Sequence, residues 1–255
     1  MDKIDLSLLP ATTSITGNGR LEVGGVDVLD LAAKVGTPAF VYDQSDMRDR
    51  FREAYRIFGP GVAYATKAFL CRAVARMAHQ EGLSLDVATG GEYFTCRSAG
   101  VPAERLVVHG NNKTEAEVTT AVEEGVQWVV IDGFGDLELV SRVATRLRRK
   151  VRVLLRVNPG VEVHTHRFTM TGNRRSKFGI PMWTGEAEQA LADVRGHSWL
   201  DLVGLHMHVG SLVFATDSFL RALDAVADFV KKADLPYFVV GGGLGVRYLN
   251  QDSAP

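Results

Sequence analysis

A lysine lies within a short apolar run that has the length of a buried strand. Lys67 stands near the end of the segment AYATKA at 63–68. A lysine buried there must be paired, neutral or covalently modified, because an isolated buried ammonium ion is costly. A desolvated lysine of lowered pKa is the group that forms a Schiff base with an aldehyde cofactor. The alternative is a lysine that extends from the strand end into solvent, and this segment alone fits both interpretations.

A glycine-rich segment directly follows another strand-like run. GGGLG at 241–245 comes after YFVV at 237–240. Glycines let the backbone approach a ligand closely and direct several N–H groups at an anion, so the segment predicts a phosphate cradle. It is not followed by the acidic residue that a dinucleotide fingerprint requires. The alternative is a tight structural turn.

Histidines occur in two pairs with the same spacing. His206 and His208 are two residues apart on a predicted strand, so both side chains point to one face of the sheet and can share a ligand. His164 and His166 repeat the spacing. Because imidazole pairs are common in metal sites, a metal-dependent barrel hydrolase is a competing hypothesis.

Charged residues interrupt two otherwise apolar strands. Asp86 lies in SLDVAT and Arg156 in VRVLLRVN. An unpaired charge is unfavourable in such surroundings, so both should find partners across the mouth of a barrel, either as a structural ion pair or in a direct catalytic role. A metal site would need more carboxylates, but apart from Asp86 and Asp132 none falls at an evident metal-ligand position on the strand ends. We therefore expect a site without metal.

The chain alternates between strand-like and helix-like stretches. Apolar, β-branched runs of strand length occur at 63–68, 84–89, 106–110, 128–132, 151–158, 201–210 and 237–243. Residues at helical spacing lie between them, such as Ala116, Val118 and Val122. This pattern predicts repeated βα units and a parallel sheet. An open doubly wound sheet and a barrel both fit, but the even spacing and the length favour a (β/α)8 TIM barrel, with PAFVYD at 38–43 as a candidate eighth strand.

One connection breaks this rhythm. The segment PGVEVHTHRFTMTGNRRSKFGI follows the strand at 151–158 and shows little periodicity, but it is rich in His, Arg, Thr and Gly. Loops of this length are usually lids or binding loops.

Composition limits the choice of partner. The chain has 255 residues, 46% of them hydrophobic, and a net charge of −1, which gives no reason to expect nucleic acid or a membrane surface as a partner. A small-molecule partner fits better. The first residues have two early acids and no basic stretch followed by an apolar one, so we expect no secretory signal, and no apolar run approaches the ~18 residues of a membrane helix. The two cysteines, Cys71 and Cys96, fit no metal or redox spacing. We therefore expect a cytoplasmic protein.

Eight short segments carry a resemblance to a known family. They are PAFVYD, YATKAF, LDVATGGE, HGNNK, RVNPGVEVHTH, SKFG, GLHMHVGS and GGGLGVRY. In their content and order, over roughly residues 38–250, the chain resembles the diaminopimelate decarboxylases, which belong to the alanine-racemase-like group of pyridoxal-phosphate enzymes. GLHMHVGS followed by GGGLG resembles the diaminopimelate or the related arginine branch more than the eukaryotic ornithine decarboxylases.

The resemblance implies a reaction and roles for named residues. The reaction is decarboxylation of meso-2,6-diaminopimelate to L-lysine with pyridoxal 5'-phosphate, in a homodimer. As catalytic residues, Lys67 would carry the cofactor as a Schiff base and His208 would stack on its ring. Asp86 and Arg156 would position the cofactor. Its phosphate would be held by the remaining site residues, Ser211, Gly241, Gly242 and Gly243.

The sequence also departs from the family pattern. Family members have a Glu-Pro-Gly-Arg motif on the last barrel strand and then a β-domain, and neither is found in these residues. The family assigns 38–43 to that second domain. Residues 1–45 would then pack on the β-domain, and residues 46–255 would form a barrel without its last strand. We expect these 255 residues alone to have little decarboxylase activity.

Three alternatives remain open at this point. The first is a decarboxylase that acts on arginine or ornithine, as in neighbouring branches of the family. Non-catalytic barrels that bind pyridoxal phosphate have about this length, although their phosphate motifs differ. A racemase of the same fold would need a second acid/base group, which normally comes from the other domain.

Overall fold

The N-terminal part of the chain forms a small antiparallel sheet. The computed structural model describes residues 5–161 and 176–249. The sheet contains β1 (Ser14–Ile15), β2 (Leu21–Val23) and β3 (Val26–Asp27), and helix α1 (Val28–Val35) follows it. Asp27 caps α1, because its carboxylate accepts hydrogen bonds from the first backbone N–H groups of the helix.

Strands and helices then alternate along the chain. The strands are β4 (Ala63–Ala65), β5 (Ser84–Val87), β6 (Leu106–Val108), β7 (Trp128–Ile131), β8 (Val151–Asn158), β9 (Ile180–Pro181), β10 (Leu200–His206) and β11 (Tyr237–Val239). The helices are α2 (Gln44–Phe58), α3 (Arg72–Gln80), α4 (Gly90–Ser98), α5 (Glu115–Glu124), α6 (Phe134–Leu147), α7 (Glu186–Gly196) and α8 (Thr216–Ala233). Local signals set these bounds. For example, α5 begins at a capping box of Thr114 and Glu117 and ends at Gly125, which is left-handed.

The main sheet is parallel and curled. Its strand order is β4-β5-β6-β7-β8-β10-β11, with β9 paired to β8 outside this path. Because spatial order follows chain order without reversal, the sheet is of the barrel type and not doubly wound. The rings of His109, after β6, and His206, in β10, have centroids 4.6 Å apart although two strands lie between them in the sheet. This contact across the sheet shows that it curls around a lumen.

The two faces of the sheet pack differently. Side chains such as Leu85, Val87 and Leu155 belong to the large core between the sheet and the helices. Because side chains alternate along a strand, the intervening Asp86 and Arg156 point into the lumen. A smaller apolar cluster fills the lower lumen, formed by Val107, Trp128, Val130, Leu154 and Val203. Polar side chains are therefore concentrated at the carboxyl ends of the strands.

The structure confirms most of the predicted architecture. All seven predicted strands of the βα pattern are present, several of them shorter than expected, and β4 and β11 are not paired with each other within the described ranges. Among the described residues, the curled sheet is therefore open between these two strands. The candidate eighth strand was wrong, because residues 38–43 connect α1 to α2 without entering the sheet. Most of the long connection, at 162–175, lies outside the described residues.

The N-terminal segment exposes apolar side chains. Phe40 is 92% exposed, and Ile15, Val26, Leu29 and Val35 are also exposed. The division into residues 1–45 and 46–255 stays a prediction. Among the helices in the described ranges, none is both long and apolar enough to span a membrane.

Candidate active site

Side chains from five strands meet at the carboxyl end of the curled sheet. The set consists of Lys67 after β4, Asp86 in β5, His109 after β6, Arg156 in β8, and His206 with His208 at the end of β10. They are close enough that, besides burial, the positive charges of Lys67 and Arg156 lower the pKa of both His206 and His208. This end of a parallel barrel is where active sites lie. The structure thus brings the predicted lysine, aspartate, arginine and histidines together.

Lys67 lies after the end of its strand, whereas the sequence predicted it inside the strand. Strand β4 ends at Ala65, and Lys67 is part of a 3-10 turn over Thr66–Ala68, with an exposed side chain. The prediction of a desolvated lysine inside the strand was therefore wrong. The turn is fixed by Thr66, whose single hydroxyl hydrogen is shared between the Asp86 carbonyl oxygen at 2.8 Å and Glu92 Oε2 at 3.0 Å. The turn that Thr66 fixes thus presents the Lys67 amine to solvent at the carboxyl end of the sheet, where a ligand can reach it.

Burial keeps the two β10 histidines neutral. Desolvation, with added repulsion from His109, holds the pKa of His206 well below its usual value. Desolvation, followed by the positive charge of Lys67, lowers the pKa of His208 to about 4. Both rings are therefore uncharged near pH 7. A neutral imidazole offers a flat face that can stack on an aromatic ligand, as the resemblance implies for His208.

Arg156 is bound by a buried carboxylate on the neighbouring strand. Its Nη1 donates to Oδ1 of Asp132, directly after β7, and the two side chains are only 7% and 4% exposed. The expectation that Arg156 and Asp86 find their partners across the barrel mouth was wrong. Asp132 follows β7, next to β8, and the contact of Asp86 is with His109, which follows β6, next to β5. Phe178 lies under the guanidinium at 4.9 Å, and the backbone N–H of Gly179 donates to Asp132 at 3.3 Å. The pair thus fixes the end of the long connection against the sheet.

A second buried ion pair lies next to the first. Lys113 donates to Asp136 Oδ2 at 2.6 Å, and its ammonium also contacts the carbonyl of Gly110. The same Asp136 oxygen accepts the backbone N–H of Asp132 at 3.0 Å. The loops after β6 and β7 are therefore joined through charged groups, which orients Asp132 toward Arg156.

The glycine-rich loop packs closely on the loop after β10. Gly241 and Gly243 have φ angles of 80° and 94°, where glycine is favoured. A Cβ on Gly243 would lie 1.8 Å from the Gly210 carbonyl oxygen, and one on Gly241 would lie 2.6 Å from that of Met207. The backbone N–H of Val213 donates to the Gly243 carbonyl at 2.9 Å. This pairing places the loop that contains Ser211 beside Gly241–Gly243.

Substituting Gly243→Ala should unfold the cofactor-free chain more easily. The new methyl group would collide with a backbone carbonyl at a left-handed position, so we expect a loss of roughly 3 kcal/mol. Gly242→Ala is the matched control, because a Cβ there meets nothing within 4 Å. Its loss should be below about 0.5 kcal/mol. Urea denaturation followed by circular dichroism compares them, and equal midpoints for the two variants would contradict the described loop.

The metal hypothesis finds no ligand cluster in the described parts of the chain. Within residues 5–161 and 176–249, no group of three or more His, Cys, Asp or Glu side chains is placed to hold a metal ion. His164 and His166 lie outside the described residues.

The residues present fit pyridoxal phosphate. The backbone of Gly241 and Gly242 is exposed, and the space beside Gly242 is open, so an anion can reach the N–H groups of the loop. Nδ1 of His206 is buried and accepts or donates no hydrogen bond among the described residues. Lys67 supplies an exposed amine, and His208 a neutral ring. Together these groups suit an aromatic aldehyde that carries a phosphate.

The comparisons with known proteins define the class. A family model described as "Pyridoxal-dependent decarboxylase, pyridoxal binding domain" matches residues 44–255. The chain therefore belongs to the pyridoxal-dependent decarboxylases, and the curled sheet is their pyridoxal-binding domain. Its cofactor is pyridoxal phosphate, as the sequence predicted.

Within this family, the chain is similar to proteins that are named diaminopimelate decarboxylases. The chain is 40% identical to the diaminopimelate decarboxylase of Bacillus methanolicus, over 94% of the chain and 58% of the relative. It is also 40% identical to the Bacillus subtilis enzyme, over 96% of the chain and 58% of the relative. The structure of the M. jannaschii diaminopimelate decarboxylase in complex with L-lysine matches with a TM-score of 0.83 at 28% identity, over 96% of the chain and 60% of that structure. The chain thus spans about 58% of the length of these curated relatives.

Sequence reasoning missed part of the site. His109 lies in the predicted strand 106–110, but it received no role, although it follows β6 as Lys67 follows β4. Asp132 was considered only as a metal ligand, whereas it binds Arg156. A charged or imidazole side chain at the carboxyl end of each successive strand is the signal that could have found both residues.

Proposed function

We propose that the complete protein removes the α-carboxylate of meso-2,6-diaminopimelate to give L-lysine. The observation that carries the proposal is the meeting of Lys67, neutral His208 and the exposed glycine-rich loop at one end of the curled sheet. The names of the relatives that are 40% identical support this substrate. The L-lysine in the M. jannaschii complex is the corresponding product.

Each residue of the site has a task toward the cofactor. Pyridoxal phosphate, when bound, supplies an electron sink for the electron pair that remains when CO2 leaves. Lys67 would hold the cofactor through Nζ, and Ser211 with Gly241–Gly243 would bind its phosphate. His208 would support the flat face of its ring. These contacts would hold the cofactor by its aldehyde carbon, its phosphate and its ring. Such positioning is the protein's main contribution to the chemistry.

The lumen carboxylate and guanidinium would orient the cofactor. Asp86 points into the lumen from β5 and Arg156 from β8, so both would face a cofactor bound at the mouth of the lumen. Asp132 holds Arg156 in place and neutralises its charge. Because Asp86 and Arg156 are already held in position, no free energy is needed to reorient them during the reaction.

The assembly and cellular setting belong to the same proposal. A cytoplasmic homodimer fits a biosynthetic enzyme of this family, with amino acids as partners and no nucleic acid or membrane. The exposed apolar side chains of the N-terminal segment, such as Phe40 and Leu29, support a second domain that packs on residues 1–45. Burying such side chains would stabilise that contact by about 25 cal/mol per Å².

The test is a comparison of substrates. The 255-residue chain, and a polypeptide that also carries the region which the relatives have beyond the matched part, are each supplied with pyridoxal phosphate. CO2 release is then measured from meso-diaminopimelate, L-arginine and L-ornithine. We expect turnover of diaminopimelate by the longer polypeptide, at least about 10²-fold faster than of the other two, and little turnover by the 255-residue chain.

Each rival predicts another outcome. If the longer polypeptide turns over arginine or ornithine faster than diaminopimelate, that amino acid is the substrate and the proposed one is wrong. Cofactor binding by both polypeptides without CO2 release would favour a non-catalytic binding protein, and loss of optical activity without CO2 release would indicate a racemase.

A further inference from the structure

His109 connects two lumen side chains that belong to distant strands. Its Nδ1 lies 3.1 Å from Oδ2 of Asp86 in β5. Its ring meets that of His206 in β10 edge to face, with centroids 4.6 Å apart and an angle of 73° between the planes. Since β6, β7 and β8 separate those two strands in the sheet, His109 bridges the mouth of the lumen.

The backbone fixes the position of the His109 ring. The N–H of His109 donates to the Val87 carbonyl at 2.8 Å, which extends the pairing of β5 and β6 by one residue. Gly110 follows with a φ of 93°, and a Cβ there would lie 2.8 Å from the Ala88 carbonyl oxygen. The chain therefore turns away directly after His109, and the ring stays at the lumen.

The contact with Asp86 also fixes the tautomer. An ionised carboxylate only accepts hydrogen bonds, so Nδ1 of His109 must carry the proton. The Asp86 side chain is 27% exposed and that of His109 only 15%. A carboxylate at the edge of solvent is thus oriented by a donor that is more buried than itself.

We propose that His109 is a positioning residue of the cofactor site, which orients the Asp86 carboxylate through Nδ1–H and supports the buried ring of His206. The inference rests on the proposed function, in which Asp86 acts on the cofactor. Without His109 the carboxylate rotates toward water, and His206 loses the ring that packs against it. The site then binds the cofactor more weakly.

Two variants separate the two contacts. His109→Asn keeps a donor near the place of Nδ1 but has no ring, and His109→Phe keeps a ring but has no donor. Titration with pyridoxal phosphate, followed by absorbance, should show binding roughly 10- to 100-fold weaker for the Phe variant, as for other hydrogen bonds to charged groups. The Asn variant should bind the cofactor more tightly than the Phe variant but less tightly than the wild type, because it keeps the donor and lacks the ring that packs on His206.

A double-mutant cycle identifies the partner. In an Asp86→Asn background, His109→Phe should weaken binding by less than about 3-fold, because the carboxylate it orients is gone. If the wild-type chain binds the cofactor and the Phe variant binds equally well, or if its loss persists in the Asp86→Asn background, the role of His109 is overturned. Failure to bind the cofactor by the longer polypeptide, which carries the region that the relatives have beyond the matched part, would instead contradict the proposed function.

A spectroscopic measurement decides the question without relying on binding or on the stability of the Phe variant. The ¹⁵N chemical shifts of the histidine rings in the cofactor-free chain should show a protonated Nδ1 on His109, and Asp86→Asn should move that resonance. An Nδ1 without a proton, or a resonance that Asp86→Asn leaves in place, overturns the proposal.

Discussion

Lys67→Ala should abolish covalent attachment of pyridoxal phosphate and, in the longer polypeptide for which decarboxylation is proposed, lower the rate of CO2 release by at least about 10³-fold. Lys67 supplies the exposed amine in the turn after β4, and its charge reaches both His206 and His208. Without it, no amine at this position can hold the aldehyde carbon of the cofactor. Borohydride reduction followed by peptide mass spectrometry should find the adduct on the wild-type peptide that contains Lys67, and none in the variant.

Two further variants exclude simpler explanations of such a loss. Lys67→Arg keeps the positive charge but has no amine that can attack an aldehyde, so it should fail like Lys67→Ala. Lys231→Ala removes an exposed lysine of α8, whose ammonium lies 3.9 Å from Asp228, and it should leave the adduct unchanged. Labelling of the Lys67→Ala chain at another lysine, in equal yield and with activity retained, would mean that Lys67 is not the attachment site.

The sequence predicts the barrel well because its strands are locally encoded. Runs of β-branched residues at 106–108 and 151–158 form β6 and β8, and both are buried along almost their whole length. Even spacing with one helix per strand leaves few topologies other than a parallel barrel. Among the strand-like runs, the one at 38–43 forms no strand at all, since it has strand composition but no neighbouring strand in the sheet to pair with.

The pairing of side chains at the lumen could not be predicted in the same way. Spacing shows that Asp86 and Arg156 face the lumen, but both partners lie just beyond the end of an adjacent strand, where the course of the following loop decides which groups touch. Arg156 pairs with Asp132 on the adjacent strand, while Asp86 contacts His109. The exposure of Lys67 depends on a turn that Thr66 and Glu92 fix through tertiary hydrogen bonds. No local pattern encodes such contacts.

Asp132→Asn should destabilise the cofactor-free chain by roughly 3–5 kcal/mol, the range found when one partner of a buried ion pair is removed. Asp132 and Arg156 are among the least exposed charged side chains of the site, and their burial leaves the guanidinium little access to water. The amide of asparagine keeps the size of the side chain but not its charge. Urea unfolding at neutral pH, followed by circular dichroism, gives the free energy of unfolding for each chain.

A matched exposed pair provides the control. Glu115 lies 3.3 Å from Arg142 at the surface, where both side chains are about half exposed. Glu115→Gln changes a carboxylate to an amide in the same way, and it should cost only about 0–1 kcal/mol. The contrast between the two substitutions therefore measures burial and not the loss of a negative charge.

The double substitution Asp132→Asn with Arg156→Met distinguishes an unpaired charge from a general packing defect. Removing the guanidinium as well leaves no uncompensated charge in the lumen, so stability should recover to within about 2 kcal/mol of the wild type. The methionine side chain can still pack on Phe178, which now lies under the guanidinium at 4.9 Å. If the double variant is as unstable as Asp132→Asn, the loss arises elsewhere, most directly from the bond between Asp132 and the Gly179 N–H. Asp132 would then stabilise the chain by holding the end of the long connection rather than by neutralising Arg156.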